Sequence, residues 1–268
     1  MSEILAATLF SSSGGNCVYI KNKNSEYLID AGVSAKCIEN SLNGLGTSLS
    51  SIKAIFVTHE HSDHVKGLET ISKYHGIPIY APSLCCSSLR KSPYIAPYVH
   101  PLDDGVPIET EDAVFTPFKT PHDSASSCGY VVSLGNKKIG LATDMGYITK
   151  KTAEYLTGCD GVIIESNHDI EMLKNGPYPY QLKQRILGNY GHLSNESCAS
   201  FLPYLVKNGT RYILLAHLSA ENNTPEAAYD EAVSMLEANG FAVCTENTCG
   251  DVYLAVAPRD SRCVLCSF

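Results

Sequence analysis

Within six residues the chain places His59, His61, Asp63 and His64, three imidazoles and a carboxylate at spacings of two, two and one. That ligand chemistry suits Zn²⁺ and similar borderline divalent ions. The cluster follows an apolar run, Ala54-Ile55-Phe56-Val57. A buried strand has no use for so many polar groups, whereas the end of a strand does. Alternation along the last extended residues can put His59 and His61 on one side. A turn into a helix at Val65 would then bring Asp63 and His64 to a neighbouring point, so one short segment can serve two metals. An exposed polar loop, or histidines satisfied singly in a core, would leave this density unexplained.

The elements around the cluster repeat the arrangement. Apolar strands expected at 114–119, 138–142, 161–164 and 212–216 are followed by His122, Asp144, Glu165 and His217. Several strand ends on one edge are how a rigid scaffold gathers dispersed ligands. His59, His61 and His122 make one three-nitrogen site. Asp63, His64 and His217 make a second, and Asp144 can bridge both. Each metal keeps room for a shared water, the open position of a catalytic site. His122 or His217 alone would read as a buried, hydrogen-bonded histidine; at matching strand ends the ligand reading dominates.

Further strands are expected at 4–10, 17–20, 26–30, 54–57, 77–81, 130–134, 241–245 and 251–257. Helices are expected at 34–43, from Val65 through Leu68, Ile71 and Tyr74 to Gly76, and at 83–90. Ser194 caps a helix burying Cys198, Phe201, Leu202 and Leu205, with Pro203 kinking it or lying on its outer face. Thr224 and Pro225 open another, closed by Gly240. Residues 91–112, rich in proline and acids, read as loop. Asp30, at the end of the third strand, is either a turn cap or a carboxylate steering a neighbouring metal ligand. Residues 170–190 stand apart: Lys174, Lys183 and Arg185 alternate with Tyr178, Tyr180 and Tyr190. They form either a track for phosphates and unpaired bases or a solvated loop whose tyrosines pack on the core.

At 268 residues, with 44% hydrophobic and 18% charged, the chain can bury a sizeable core and has the composition of a soluble globular protein. No apolar run approaches bilayer length, and the N-terminal MSEILAATLFSSSGG reads as a first strand, not a signal peptide. Eleven cysteines, odd in number and often inside apolar runs (Cys128, Cys198, Cys244), suit reduced thiols in the cytoplasm. Cys263 and Cys266 form a lone CxxC, which reads as a frayed tail ahead of a redox or metal pair. The net charge of −8 disfavours a broad grip on nucleic acid, although two divalent ions would add positive charge where an anionic substrate reacts. With no linker and no repeat of fixed period, residues 1–268 are expected to form one domain of two face-to-face sheets with helices outside.

HEHSDH at 59–64, His122, Asp144 in LATD and His217 in LLAHLS resemble, in order, the metal motifs of the metallo-β-lactamase superfamily. Asp30 in LIDAG resembles its first motif, where the aspartate supports the site from behind. The resemblance implies an α+β, four-layer αββα sandwich with a dinuclear site on one edge of the sheets. Aspartate at the bridging position resembles the phosphodiesterase, glyoxalase and lactonase branches, unlike most true β-lactamases. IIESNHDIEML at 163–173, NGPYPYQLKQRIL at 175–187 and GHLSNE at 191–196 are similar to the bacterial YycJ/WalJ group of metallohydrolases. That resemblance implies a nuclease, associated with exonuclease action on DNA, without the inserted domain of the β-CASP nucleases.

The chemistry expected is hydrolysis of a phosphodiester by a hydroxide generated between two ions, Zn²⁺ first, with Mn²⁺ or Fe accepting the same ligands. Asp63 would ligate and also orient the hydroxide. His192 has no ligand slot left in a site filled by five histidines and two aspartates, and its place before a helix suits a donor to the phosphate or leaving oxygen. By resemblance to nucleases, Glu165 pairs with His192; Ser194, Asn167 and His168 are further candidates for substrate contact, with Asn167 and His168 equally able to brace the strand end. The rival functions are a thioester or lactone hydrolase of the glyoxalase II type and a non-catalytic module that keeps metals for stability. The substrate expected is DNA, with no membrane partner.

Overall fold

A computed structural model of the chain describes residues 4–244 and 249–267. β1 (Ile4–Ser12), β2 (Gly15–Asn22) and β3 (Ser25–Ile29) form an antiparallel meander, and after α1 (Ala35–Asn43) β4 (Ile52–Phe56) joins β3 in parallel. α2 (Ser62–Val65) and α3 (Leu68–His75) lead to β5 (Ile79–Pro82), and α4 (Ser83–Leu89) leads to β6 (Val99–Leu102), both added in parallel. The second sheet begins with β7 (Ile108–Glu109), β8 (Val114–Lys119), β9 (Cys128–Leu134) and β10 (Lys137–Ala142), all antiparallel neighbours. α5 (Lys150–Leu156), β11 (Gly161–Glu165), α6 (Ile170–Asn175), α7 (Tyr180–Leu187), α8 (Asn195–Lys207), β12 (Tyr212–Ala216), α9 (Pro225–Ala238), β13 (Val243–Cys244) and β14 (Val252–Val256) follow. Here β10, β11, β12 and β14 run parallel. β15 (Cys263–Ser267) then crosses to the first sheet, antiparallel to β1. The sheet orders are β15-β1-β2-β3-β4-β5-β6 and β13-β14-β12-β11-β10-β9-β8-β7.

Strict alternation builds the layers. Val18, Ile20, Ala54 and Phe56 face the second sheet, while Cys17, Tyr19, Ile55 and Val57 face α1, α3 and α4. Ile139, Leu141 and Ile163 likewise turn inward, and Ala142, Val162 and Ile164 pack under α5, α8 and α9. With both faces buried, the strands read as continuous apolar runs. Phe56 stacks on Phe115 across the sheets, with ring centroids 3.6 Å apart, and the Tyr130 hydroxyl donates to the Val57 carbonyl at 2.6 Å. This clasp lies directly beneath the point where β4 gives way to the histidine cluster. No helix among the described residues is long and apolar enough to cross a membrane.

Several expectations need correction. The supposed loop at 91–112 contains β6 and β7; β6 tolerates Pro101 because it is an edge strand, where a missing N–H breaks no ladder. The supposed frayed tail is β15, with Cys266 buried against the core. α5 was not anticipated, and 170–190 is two helices with a turn between them. Tyr74 is exposed although Leu68 and Ile71 on the same helix are buried. Only Val243–Cys244 of the strand expected at 241–245 is paired, and Thr245 lies outside the described residues. The Ser194 and Thr224 caps form as expected, each hydroxyl accepting an N–H three residues on. α8 runs on through Pro203, which is half-buried.

Candidate active site

Parallel strands deliver the polar residues to one edge. Ile29 pairs with Phe56, so Asp30 and the 57–64 segment leave the first sheet side by side. The Asp30 carboxylate accepts the Thr58 N–H at 2.8 Å, the Thr58 hydroxyl at 2.9 Å and His64 Nδ1–H at 2.8 Å. With its proton given to Asp30, the Thr58 oxygen is left to accept from His59 Nδ1, 3.0 Å away. One buried aspartate thereby orients two histidines through their Nδ1 atoms and leaves Nε2 of each as the atom available to ligate when the ring is neutral. Of the two roles open to Asp30 in the sequence, steering is what it does. The turn must come very close: a Cβ on Gly32 would sit 1.6 Å from the Asp63 carbonyl oxygen, so only glycine fits there.

On the second sheet β8, β10, β11 and β12 share one direction, and His122, Asp144, Glu165 and His217 emerge together. Glu165 pairs in register with Ala216, the residue before His217. Its Oε1 accepts from Nδ1 of both His192 and His217 at 2.8 Å, and its Oε2 accepts the Met145 and Leu193 N–H groups at 2.9 and 3.2 Å. Glu165 is fully buried. Burial alone would raise its pKa; the His192 and His217 rings override that and hold it down to about 2. His122 Nδ1 lies 3.2 Å from the Gly191 carbonyl. Asp30, Asp144 and His217 all have left-handed backbone, with φ of 63°, 57° and 58°. Non-glycine residues hold such conformations at a cost of about 1–3 kcal/mol each where the surroundings over-determine them. For His217 the anchor is the Ser11 hydroxyl, which accepts its N–H at 2.8 Å.

The donor atoms converge. His59, His61 and His122 form one group, Asp63, His64 and His217 another, and His59, His64 and Asp144 a third spanning both; within each, the ligand atoms lie within 4.8 Å of one another. Asp144 Oδ2 is 3.4 Å from His64 Nε2, and its Oδ1 is 3.8 Å from His122 Nε2. His59 Nε2, His122 Nε2, His217 Nε2 and Asp144 Oδ2 are buried without a hydrogen-bond partner. Such atoms are expensive to leave unpaired, and a cation satisfies all four. Burial holds the His59 and His122 rings neutral, the form that ligates. His64 is pushed up to about 10 despite burial, chiefly by Asp144 and Asp30, and His217 is raised by Asp144, Asp63 and Glu165. Asp63 and Asp144 are held ionised by these rings against the opposing effect of burial. A cation held there would displace protons from His64 and His217, so its affinity would rise with pH. The cluster is a divalent-metal-binding centre.

Two of the expected substrate contacts, Ser194 and Asn167, have partners inside the protein, while the buried His168 Nδ1 has none among the described residues. The Ser194 hydroxyl caps α8, accepting the Ser197 N–H at 3.1 Å. Asn167 Nδ2 donates to the His217 carbonyl at 2.8 Å, bracing the ligand it follows in the sheet. His168 is buried, its ring lowered by burial to about 4. Three residues escaped the sequence reading: Thr58, Asn16, whose Nδ2 lies 3.1 Å from His64 Nε2, and Glu60, which accepts the Ala125 N–H at 2.7 Å and the Cys85 thiol at 2.9 Å. Glu60 stands in the cluster motif and was the one legible signal. In the 174–190 segment the cations are engaged: Lys174 pairs with Glu171, Lys183 reaches the Lys174 carbonyl, and Arg185 grips Asp123 with two bonds.

A two-sheet sandwich of the metallo-β-lactamase fold, with a divalent-metal centre at the common strand ends, defines a metal-dependent hydrolase. The chain belongs to the β-lactamase superfamily domain family, whose model matches residues 26–217. It is 34% identical to exodeoxyribonuclease YycJ of Bacillus anthracis and 35% identical to exodeoxyribonuclease WalJ of Streptococcus pneumoniae, each over 88% of this chain and 90% of the relative. Among solved structures it resembles the metallo-β-lactamase fold protein YhfI of Bacillus subtilis, with a TM-score of 0.70 and 14% identity over 97% of this chain and 99% of that one.

Proposed function

We propose that the chain hydrolyses phosphodiester bonds of DNA as an exonuclease, acting in the cytoplasm as one catalytic domain over 1–268 with two divalent ions. Zn²⁺ is the first choice of ion, and Mn²⁺ or Fe suits the same donors. One ion would be held by His59, His61 and His122, the other by Asp63, His64 and His217, with Asp144 between them. When bound, the ions lower the pKa of water and neutralise phosphate charge. Asp63 receives a hydrogen bond from the attacking water and aligns it with phosphorus. As the water oxygen bonds to phosphorus, the bond to the ester oxygen breaks, and His192 delivers its Nε2 proton to that leaving oxygen. Glu165 stays ionised, supports the protonated His192 ring and orients it; it is a positioning residue.

The observation that carries this reading is the placement of His192. Its Nδ1 is taken by Glu165, its ring lies 5.2 and 5.3 Å from those of His122 and His217, and Nε2 has no protein partner among the described residues. His192 also falls with Asp144, Glu165 and His217 in a group whose ligand atoms lie within 4.8 Å of one another. With its Nδ1 taken by Glu165, however, its Nε2 is left as a proton donor beside the cluster, which suits cleavage of an ester with a poor leaving group. The names of the YycJ and WalJ relatives support DNA as the substrate, and the free state of all eleven cysteines supports a reducing compartment. The test is metal analysis, followed by digestion of 5′- and 3′-labelled single- and double-stranded DNA. His192→Ala should keep its metal and lose turnover by about 10²–10⁴, the usual weight of a general acid. Unchanged turnover would remove His192 from the mechanism. Faster hydrolysis of a thioester than of any phosphodiester would move the chain to the glyoxalase II type.

A further inference from the structure

Beside the cluster lies a cavity of about 460 Å³ that the proposed chemistry leaves unused. His122 lines it, so it opens directly onto the ligand groups. Tyr147 and Tyr190 line it as well, 47% and 64% exposed, each with ring surface free to meet a ligand. Two loops in intimate contact carry these tyrosines. A Cβ on Gly146 would meet the Asn189 carbonyl oxygen at 2.3 Å, and the Gly146 N–H donates to the Pro121 carbonyl at 3.0 Å. The loops bearing Tyr147, Tyr190 and His122 are thereby locked together. The remaining wall is the Ser124–Ser127 segment, tied to the cluster motif by the bond from the Ala125 N–H to Glu60. The Ser124 hydroxyl there is shielded from solvent and unpartnered. Lys119 lines the same cavity, and no acidic side chain among the described residues pairs with its ammonium. Neighbouring Lys151, in contrast, is bound to Asp104 at 2.6 Å.

Exposed aromatic rings, one unpaired cation and a free hydroxyl beside a phosphate-cleaving centre are the components of a nucleotide subsite. Size narrows the choice. Cavities of about 300–1,000 Å³ enclose one drug-sized molecule, so this one takes a single nucleoside and not a run of stacked bases. We infer that this cavity seats the terminal nucleoside of a DNA strand whose scissile phosphate lies on the His/Asp cluster, with Tyr147 and Tyr190 as its stacking residues. The inference rests on the phosphodiesterase reading and accords with action at strand ends: a half-open cavity of this volume beside the cluster accommodates one nucleoside, and a strand end presents one with chain on a single side.

The test compares three diesters sharing one leaving group on the metal-loaded full chain: the p-nitrophenyl phosphate esters of the thymidine 5′-hydroxyl, the thymidine 3′-hydroxyl and methanol. The wild type should favour one thymidine ester over the methyl ester by roughly tenfold or more in kcat/KM, the weight of a base–aromatic stack. Tyr147→Ala and Tyr190→Ala should each erase most of that preference, leave the methyl ester within about twofold, and weaken thymidine monophosphate binding by calorimetry; the phenylalanine variants should restore both. Equal rates on all three diesters in the wild type, or unchanged preference in both alanine variants, would overturn the subsite while leaving the phosphodiesterase reading intact. Absence of turnover on every diester would bring down that reading, and the inference with it.

Discussion

Glu165 and Arg185 both carry charge close to the cluster, and the chain treats them in opposite ways. Glu165 is fully buried and its two oxygens accept from two imidazoles and two backbone amides. Arg185 is half-exposed and meets one aspartate, Asp123. The same contrast divides the site. Its inner part, from Asp30 through Thr58 to His59 and His64 and from Glu165 to His192 and His217, is assembled at strand ends and hydrogen-bonded inside the protein. Its rim, around Tyr147, Tyr190 and Arg185, stands on loops and short helices. The inner part can set tautomers and hold charges because burial makes every misplaced group expensive. The rim can be altered at small cost to the fold, and the proposed nucleoside subsite lies there.

Breaking the inner part should therefore have the largest effects. Asp144→Ala leaves four histidines facing one another without their shared carboxylate, and kcat/KM on a phosphodiester should fall on the order of 10³-fold, with bound metal reduced in elemental analysis. Activity within tenfold of wild type would mean the cluster does not act as one unit. His168 probes the interior apart from the ligands. Its ring is lowered to about 4, whereas an unfolded histidine titrates near 6.5. Between those values the unfolded chain holds a proton that the folded protein does not. Stability is thus complete above about pH 6.5 and declines as pH falls toward 4, by up to about 3 kcal/mol. His168→Gln should flatten the denaturant midpoint over that window relative to wild type; an identical slope would show that His168 is not held neutral. Glu165→Gln keeps the shape but not the charge, and should cost about 10–100-fold in metal affinity or turnover. Its effect should appear in both the His192 and the His217 functions, so that adding His192→Ala costs less than the product of the two single losses.

How far the sequence disclosed all this follows the same division. The residues of the cluster were legible as candidates because His59, His61, His122, Asp144 and His217 follow apolar strands, Asp63 and His64 stand beside them on α2, and histidines packed this densely beside an apolar run suit little besides a metal. Asp30 was half legible, since an aspartate after a strand serves a turn or a ligand equally well until its partner, 34 residues on, is known. Thr58 was invisible because its work depends on Asp30 and His59 together. β15 was missed for a related reason: its partner β1 lies at the far end of the chain, and no local signal marks a pairing of that span. α6 offered one signal that went unread, Asp169, whose carboxylate caps the helix by accepting the Met172 N–H at 2.7 Å. Ser194 and Asn167 were legible in two ways, since the polar side chains near a site are also those that build caps and braces; the Ser194 cap and the Asn167 brace to the His217 carbonyl are the uses the fold displays.

The rim supplies the smallest expected effect. Arg185 looks, from its sequence neighbours, like a phosphate contact, yet its guanidinium is bound by Asp123, itself 3.5 Å from His122 Nε2. An exposed pair of this kind contributes about 0–1 kcal/mol to stability. It also leaves the arginine with little net charge to offer DNA, in a chain whose net charge is −8. Arg185→Ala should lower the denaturant midpoint only slightly and change KM for single-stranded DNA less than about threefold. A free phosphate contact, once removed, reduces the slope of log affinity against log salt by about one; here the slope should hold nearly constant. A full unit of lost slope would mean that the ion pair opens and Arg185 passes from Asp123 to the strand. Part of the rim would then be rebuilt by the substrate, and the division between a fixed interior and a passive edge would have to be redrawn at Asp123.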